Sequence, residues 1–172
     1  MNKSENSHGQ SDIYDMASYQ LETLDDEIRA DQLCRKLLQT FHHHLLQEKS
    51  LPPLEAGVLA GGTDFFLRDY LIDGRRKNIF QISPRLVAGF AGNWYIRSTL
   101  EPNLAELKNI LKGVYLFYCY CAEKKIIAPE LSESLAAPCQ QFDYYQERID
   151  SFHTLLGDGY SAWNQACPLD SE

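Results

Sequence analysis

The sequence predicts an all-α fold, a compact orthogonal bundle of five or six helices. Three observations predict it. Apolar residues recur at spacings of three and four along most of the chain. Capping residues and prolines stand where those periodic runs begin. The alternating runs that strands require are nearly absent. At 172 residues, with 44% hydrophobic and 23% charged side chains, the chain suffices for one domain with an ordinary core. That composition excludes disordered and fibrous classes.

Residues 1–24 are polar and acidic and are expected to form a mobile lead-in to a single helical domain over 25–157. Asp25 or Asp26 caps the first helix, whose stripe Cys34, Leu38, Phe41 and Leu45 predicts helix over 27–48. Ser50-Leu51-Pro52-Pro53 stops it. Pro53 suits the first turn of a second helix, running to Leu71 through Leu54, Val58, Phe65 and Tyr70. Gly57, Gly61 and Gly62 weaken that helix, so it either breaks there or uses the glycines for close packing. Asp73–Asn78 reads as a basic loop.

Ser83-Pro84 pairs a capping hydroxyl with a first-turn proline, and Val87, Phe90 and Trp94 follow, predicting helix over 84–97. Glu101-Pro102 opens the next helix. Its residues Leu104, Leu107, Leu111, Val114, Tyr118 and Cys121 repeat at 3-4-3-4-3 as far as Lys124-Lys125. Apolar groups on its other side as well mark it as the central helix. A short helix over 130–137 is interrupted by Pro138. The last helix, over 139–156, carries Phe142, Tyr145, Ile149, Phe152 and Leu156. Residues 158–172 form a tail containing Trp163, with no period.

The net charge of −8 conceals an asymmetry. Residues 64–125 carry ten basic and six acidic side chains, while the segments on either side are neutral to acidic. The overall charge argues against tight non-specific nucleic-acid binding, since phosphate neutralisation supplies most of that affinity. A local basic face remains open as an expectation. Its candidate members are Arg68, Arg75, Arg76, Lys77, Arg97, Lys108 and Lys112, with the last two at i and i+4 on the central helix. The plainer reading is that they are ordinary solvated cations.

Nothing supports an enzyme: no nucleophile elbow, no phosphate-binding loop and no catalytic carboxylate pair stands out. Adjacent histidines on a helix splay about 100° apart, so His42-His43-His44 cannot converge on one ion. Only His44 and Glu48 have ligand spacing, and neither a metal nor a cofactor is expected. Five cysteines without a CxxC pair read as free, mostly buried thiols of a reducing cytosol. No apolar run is long enough for a membrane span or a secretory signal, so a cytoplasmic location is expected.

One resemblance covers residues 33–130. It is carried by Ile82, Ser83, Pro84, Val87, Phe90, Leu107, Leu111, Phe117, Tyr118, Glu123, Lys124, Ile126, Ile127 and Pro129, together with Phe65, Tyr70, Leu71, Trp94, Tyr95, Ile96 and Arg97. This pattern resembles the SAM-like core-binding domain at the N-terminus of tyrosine recombinases of the phage-integrase type. Of the two forms of that domain, the chain more closely resembles the stand-alone bacterial proteins, to which no activity is assigned. Leu51-Pro52-Pro53-Leu54 departs from the family's Ser-x-x-Thr start of the second helix, and Lys125 replaces its last-turn glycine.

The resemblance implies a duplex clamp built from the second and fourth helices. Arg68, Lys108 and Lys112 would then be contacts, with Arg75, Arg76 and Lys77 nearby. The residues after Pro129 hold no Arg…His-x-x-Arg…Tyr set, so strand cleavage is not expected. Two functions follow as expectations. One is a non-catalytic DNA-binding or accessory module with weak, salt-sensitive affinity for duplex DNA. The other is a protein-interaction or self-association module, possible as a dimer.

Overall fold

A computed structural model describes residues 13–169. Among them every regular element is helical: seven helices and two short 3-10 turns, with no strand. Helix α1 spans Leu24–Gln47. Helix α2 is α-helical over Pro53–Asp64 and widens into a π-helix over Phe65–Gly74. Helix α3 comprises Pro84–Gly89, a π turn at Phe90–Trp94, and Tyr95–Ser98. Then come α4 (Leu104–Glu123), α5 (Pro129–Ser134), α6 (Phe142–His153) and α7 (Gly159–Ala166).

The first helix starts earlier than its apolar stripe suggests because Thr23, not Asp25 or Asp26, is its cap. The Thr23 hydroxyl accepts from the Asp26 N–H at 3.2 Å, and the Asp26 carboxylate accepts from the Thr23 N–H at 2.9 Å. This reciprocal pair satisfies two backbone donors that the helix leaves open. Ser83 and Asn103 cap α3 and α4 in the simpler, one-sided way.

The α-helical start of α2 does not break at its glycines. Gly62 lies against α4, where an added Cβ would stand 2.9 Å from the Ile110 Cα. Gly62, with Gly113 on the facing helix, is thus the means by which α2 and α4 approach. Further along, the backbone widens to i→i+5 bonding, which stacks residues five apart on one face. Phe65 and Tyr70 share a face this way, as do Phe90 and Tyr95 on α3. The two π segments meet through these rings: Phe66 to Phe90 at 5.0 Å and Tyr70 to Trp94 at 5.3 Å between centroids. Aromatic pairs in such edge-on and tilted geometry add about 1 kcal/mol each beyond area burial.

Helix α4 is the central element. Leu107, Leu111, Val114, Phe117, Tyr118 and Cys121 are all buried, and the Tyr118 hydroxyl donates to the Ile79 carbonyl at 2.8 Å.

Three expectations at the chain ends need correction. Of the segment expected to be mobile, residues 1–12 lie outside the described residues, but 13–23 pack on the core. Ile13 and Tyr19 are buried there, and Tyr19 stands edge-on to Phe80 at 4.8 Å. The last predicted helix stops at His153, leaving Leu156 exposed. The tail forms α7, a seventh helix, so the packed unit extends beyond 25–157. Trp163 anchors α7: it is buried, its indole N–H donates to the Arg148 carbonyl at 3.1 Å, and the Arg148 guanidinium lies 3.9 Å above its ring.

Candidate functional site

Of the seven cations singled out in the sequence, six touch another part of the chain. Arg68, in the π-helical part of α2, forks onto Asp31 of α1. Its Nε donates to Oδ1 at 2.7 Å and its Nη2 to Oδ2 at 3.5 Å, while Nη1 reaches Asp64 at 3.0 Å. Two-pronged guanidinium–carboxylate contacts are among the stronger polar pairs. The bond to Asp31 raises the Arg68 pKa above its ordinary value. Arg76 reaches Glu27, also on α1, at 2.7 Å. Lys112 on α4 reaches Glu55 on α2 at 2.8 Å.

The others serve the C-terminal part. Arg75 donates to the Leu169 carbonyl at 3.0 Å, and Arg97 to the Tyr160 hydroxyl at 2.7 Å. Lys108 stands 4.9 Å above the Phe142 ring of α6. Lys77 is exposed, in the turn that follows the π-helix. These cations therefore link α2 to α1, α4 to α2, and α3 and α4 to the C-terminal helices.

His44 is buried at the end of α1, with Glu48 3.4 Å from its Nδ1 and Glu123 3.8 Å from its Nε2. Among the described residues no three His, Cys, Asp or Glu side chains are grouped to hold a metal ion. No helix of the described residues is long and apolar enough to cross a membrane. Burial pushes the thiols of Cys34, Cys121 and Cys139 up, Cys139 to about 12. They are protonated at neutral pH, and thiols are far weaker nucleophiles than thiolates.

The sequence reading put Leu54 and Val58 on the stripe of the second helix and passed over Leu24 and Ile28; the helices leave all four outside. Leu24 and Ile28 on α1 are 66% and 50% exposed, four residues apart. Leu54 and Val58 on α2 repeat that spacing and are also exposed. Leu24 and Ile28 border one depression, and Val58 borders another. One, of about 420 Å³, lies between α1 and the π-helix and is lined by Leu24, Ile28, Asp31, Arg68, Asp69 and Ile72, among others. A second, of about 330 Å³, continues it toward His42, with Arg35 and Arg68 lining both. The third, of about 620 Å³, lies between α2 and α4 beside Val58, Phe65, Glu106 and Ile110.

Leu24 and Ile28 stood in the sequence as apolar residues off the core stripe, whereas Leu54 and Val58 stood on the stripe read for the second helix and the structure leaves them exposed. Without the neighbouring helices they cannot be told from residues that a further helix would cover. Comparison of the chain with protein-family models, with curated proteins and with solved structures finds no match.

Proposed function

We propose that this chain is a non-catalytic helical module that acts by binding another protein, through apolar helix faces beside its surface grooves. The observation that carries this reading is the pair of exposed i, i+4 apolar couples, Leu24/Ile28 and Leu54/Val58. Apolar side chains grouped beside a concave surface, rather than scattered singly, are the ordinary mark of an interaction site.

The charge distribution supports the same choice over duplex binding. Arg68, Arg76 and Lys112 are engaged by carboxylates of the same chain. A phosphate backbone would have to displace those carboxylates before gaining any contact. The likeness to recombinase core-binding domains and the basic middle segment are what support duplex binding.

Selection of displayed helical peptides on the full chain tests the proposal. Binders are expected that are lost on Leu24→Asp with Ile28→Asp, or on Leu54→Asp with Val58→Asp. Sedimentation of the unliganded chain reads whether a second copy can be the partner. Enrichment of no binder, or only of binders indifferent to both double variants, would overturn the proposal. So would salt-sensitive binding of a short duplex that is lost on Lys108→Glu with Lys112→Glu.

A further inference from the structure

The two depressions on α1 adjoin at the Arg68–Asp31 pair and together make a groove that this pair crosses. They share Arg35 and Arg68 and run from Leu24 at the start of α1 to His42 near its end. At 1.5 Å per residue that stretch is about 27 Å long, the length of a helix of about 18 residues. One wall is α1 and the other is α2. Gly61 lines the far part, and a Cβ added there would meet nothing within 4 Å.

The groove has an apolar patch at one end, where Leu24 and Ile28 are exposed, and a polar, largely acidic lining along the rest; Ile72 and Leu38 lie beneath it, buried. Five lining carboxylates, Glu27, Asp31, Asp64, Asp69 and Asp73, face two lining cations, Arg35 and Arg68. Arg68 is shared between Asp31 and Asp64, and Arg76 comes from outside to pair with Glu27. Asp69 and Asp73, four apart on the π-helix, are both exposed and form no ion pair among the described residues. Partial burial, and then the nearby Asp64 carboxylate, raise the Asp69 pKa. An excess of negative charge thus lies beside the apolar patch, not neutralised by ion pairs among the described residues.

We propose that this groove binds an amphipathic α-helix of a partner protein whose apolar stripe is flanked by lysine or arginine. This names the partner chemistry for the protein-binding reading and rests on it. The apolar stripe covers Leu24 and Ile28, and the flanking cations meet Asp69 and Asp73. Opposite charges across an interface fix register and speed encounter, while the buried apolar contacts hold the complex. An acidic helix, or a nucleic acid, is repelled by the same carboxylates.

The test uses three labelled model peptides of about 18 residues. The first has leucines at helical i, i+3, i+4 spacing and lysines beside them. The second has the same composition with the leucines dispersed round the helix, and the third has glutamate in place of lysine. Anisotropy titration of the full chain at about 0.15 M salt is expected to show the first peptide binding at least about tenfold tighter than the other two.

Leu24→Ser with Ile28→Ser is expected to weaken that binding by about tenfold. Asp69→Asn with Asp73→Asn is expected to weaken it and to flatten its salt dependence. All four side chains are exposed, and an unchanged thermal midpoint shows that the variants remain folded. Equal binding of the patterned and dispersed peptides, tighter binding of the acidic one, or indifference to both double variants would overturn the groove assignment. If displayed helices bind but respond only to Leu54→Asp with Val58→Asp, the groove assignment fails while the protein-binding reading stands.

Discussion

Gly113 of α4 sits directly on Leu59 of α2: a Cβ added to Gly113 would lie 2.3 Å from the Leu59 carbonyl oxygen and 2.6 Å from the Thr63 hydroxyl. The Thr63 hydroxyl in turn donates to that carbonyl at 2.8 Å. Neither neighbour is the free end of a flexible chain, so no side-chain rotation makes room. Gly113→Ala therefore forces the two helices apart, with an expected loss of about 3 kcal/mol. Gly57 and Gly61, on the outer side of the same α2, have open space where a Cβ would go. Each is expected to gain up to about 1 kcal/mol on replacement by alanine. Urea midpoints of the three variants check this, and a uniform direction across all three would contradict the packing described.

Lys125 has φ of 60°, in the left-handed region. Its N–H donates to the Ala122 carbonyl at 2.9 Å, and the following Ile126 N–H reaches back to Cys121 at 3.0 Å. This double bond pattern terminates α4 and favours glycine at the position that Lys125 occupies. Lys125→Gly is expected to raise stability by about 1 kcal/mol. Lys125→Ala, which keeps a Cβ, is expected to leave it nearly unchanged. Thermal midpoints separate the two outcomes.

Asp26 makes the start of α1 sensitive to acid. The N–H groups of Thr23 and then of Glu22 hold its carboxyl below the ordinary carboxylate value. The unfolded chain takes up a proton at Asp26 near pH 4, whereas the folded chain does so only at lower pH. Between those values the unfolded state binds more protons, so this contribution is complete above about pH 4 and is lost as pH falls through the lowered folded value. Asp26→Asn is expected to flatten the acid limb of stability against pH. Denaturant titrations between about pH 5 and 2 measure that limb.

Arg68 is the bridge between α1 and α2. Arg68→Gln leaves Asp31 and Asp64 without their cation, beside Asp69, and is expected to cost about 2 kcal/mol. Adding Asp31→Asn to Arg68→Gln removes one of the stranded charges and is expected to recover part of that loss. A double-mutant cycle gives the coupling between the two residues, and a coupling near zero would contradict the bridge.

Where the core follows a 3-4 period, the helices were legible in the sequence: α1 and α4 fall within a few residues of their predicted spans, and Ser83-Pro84 marks the start of α3. Helix α2 was legible too: its stripe reached Phe65 and Tyr70, and its predicted end at Leu71 lies just short of Gly74. The change to i→i+5 bonding was not, since an apolar spacing does not record which carbonyl each N–H reaches. The short end elements were missed because each is held by one or two anchors, Tyr19 at one end and Trp163 at the other, and single anchors have no period. The candidate cations were visible as residues. Their engagement by Asp31, Glu27 and Glu55 was not, since those pairs join positions 37, 49 and 57 residues apart.

The chain's two tryptophans occupy different environments. Trp94 sits among the rings of Phe65, Tyr70 and Phe90, whereas Trp163 is clasped between Arg148 and Phe152 at the last helix. Single replacement of either by phenylalanine would leave one optical reporter in place, so detachment of the C-terminal end and melting of the interior can be followed as separate emission signals.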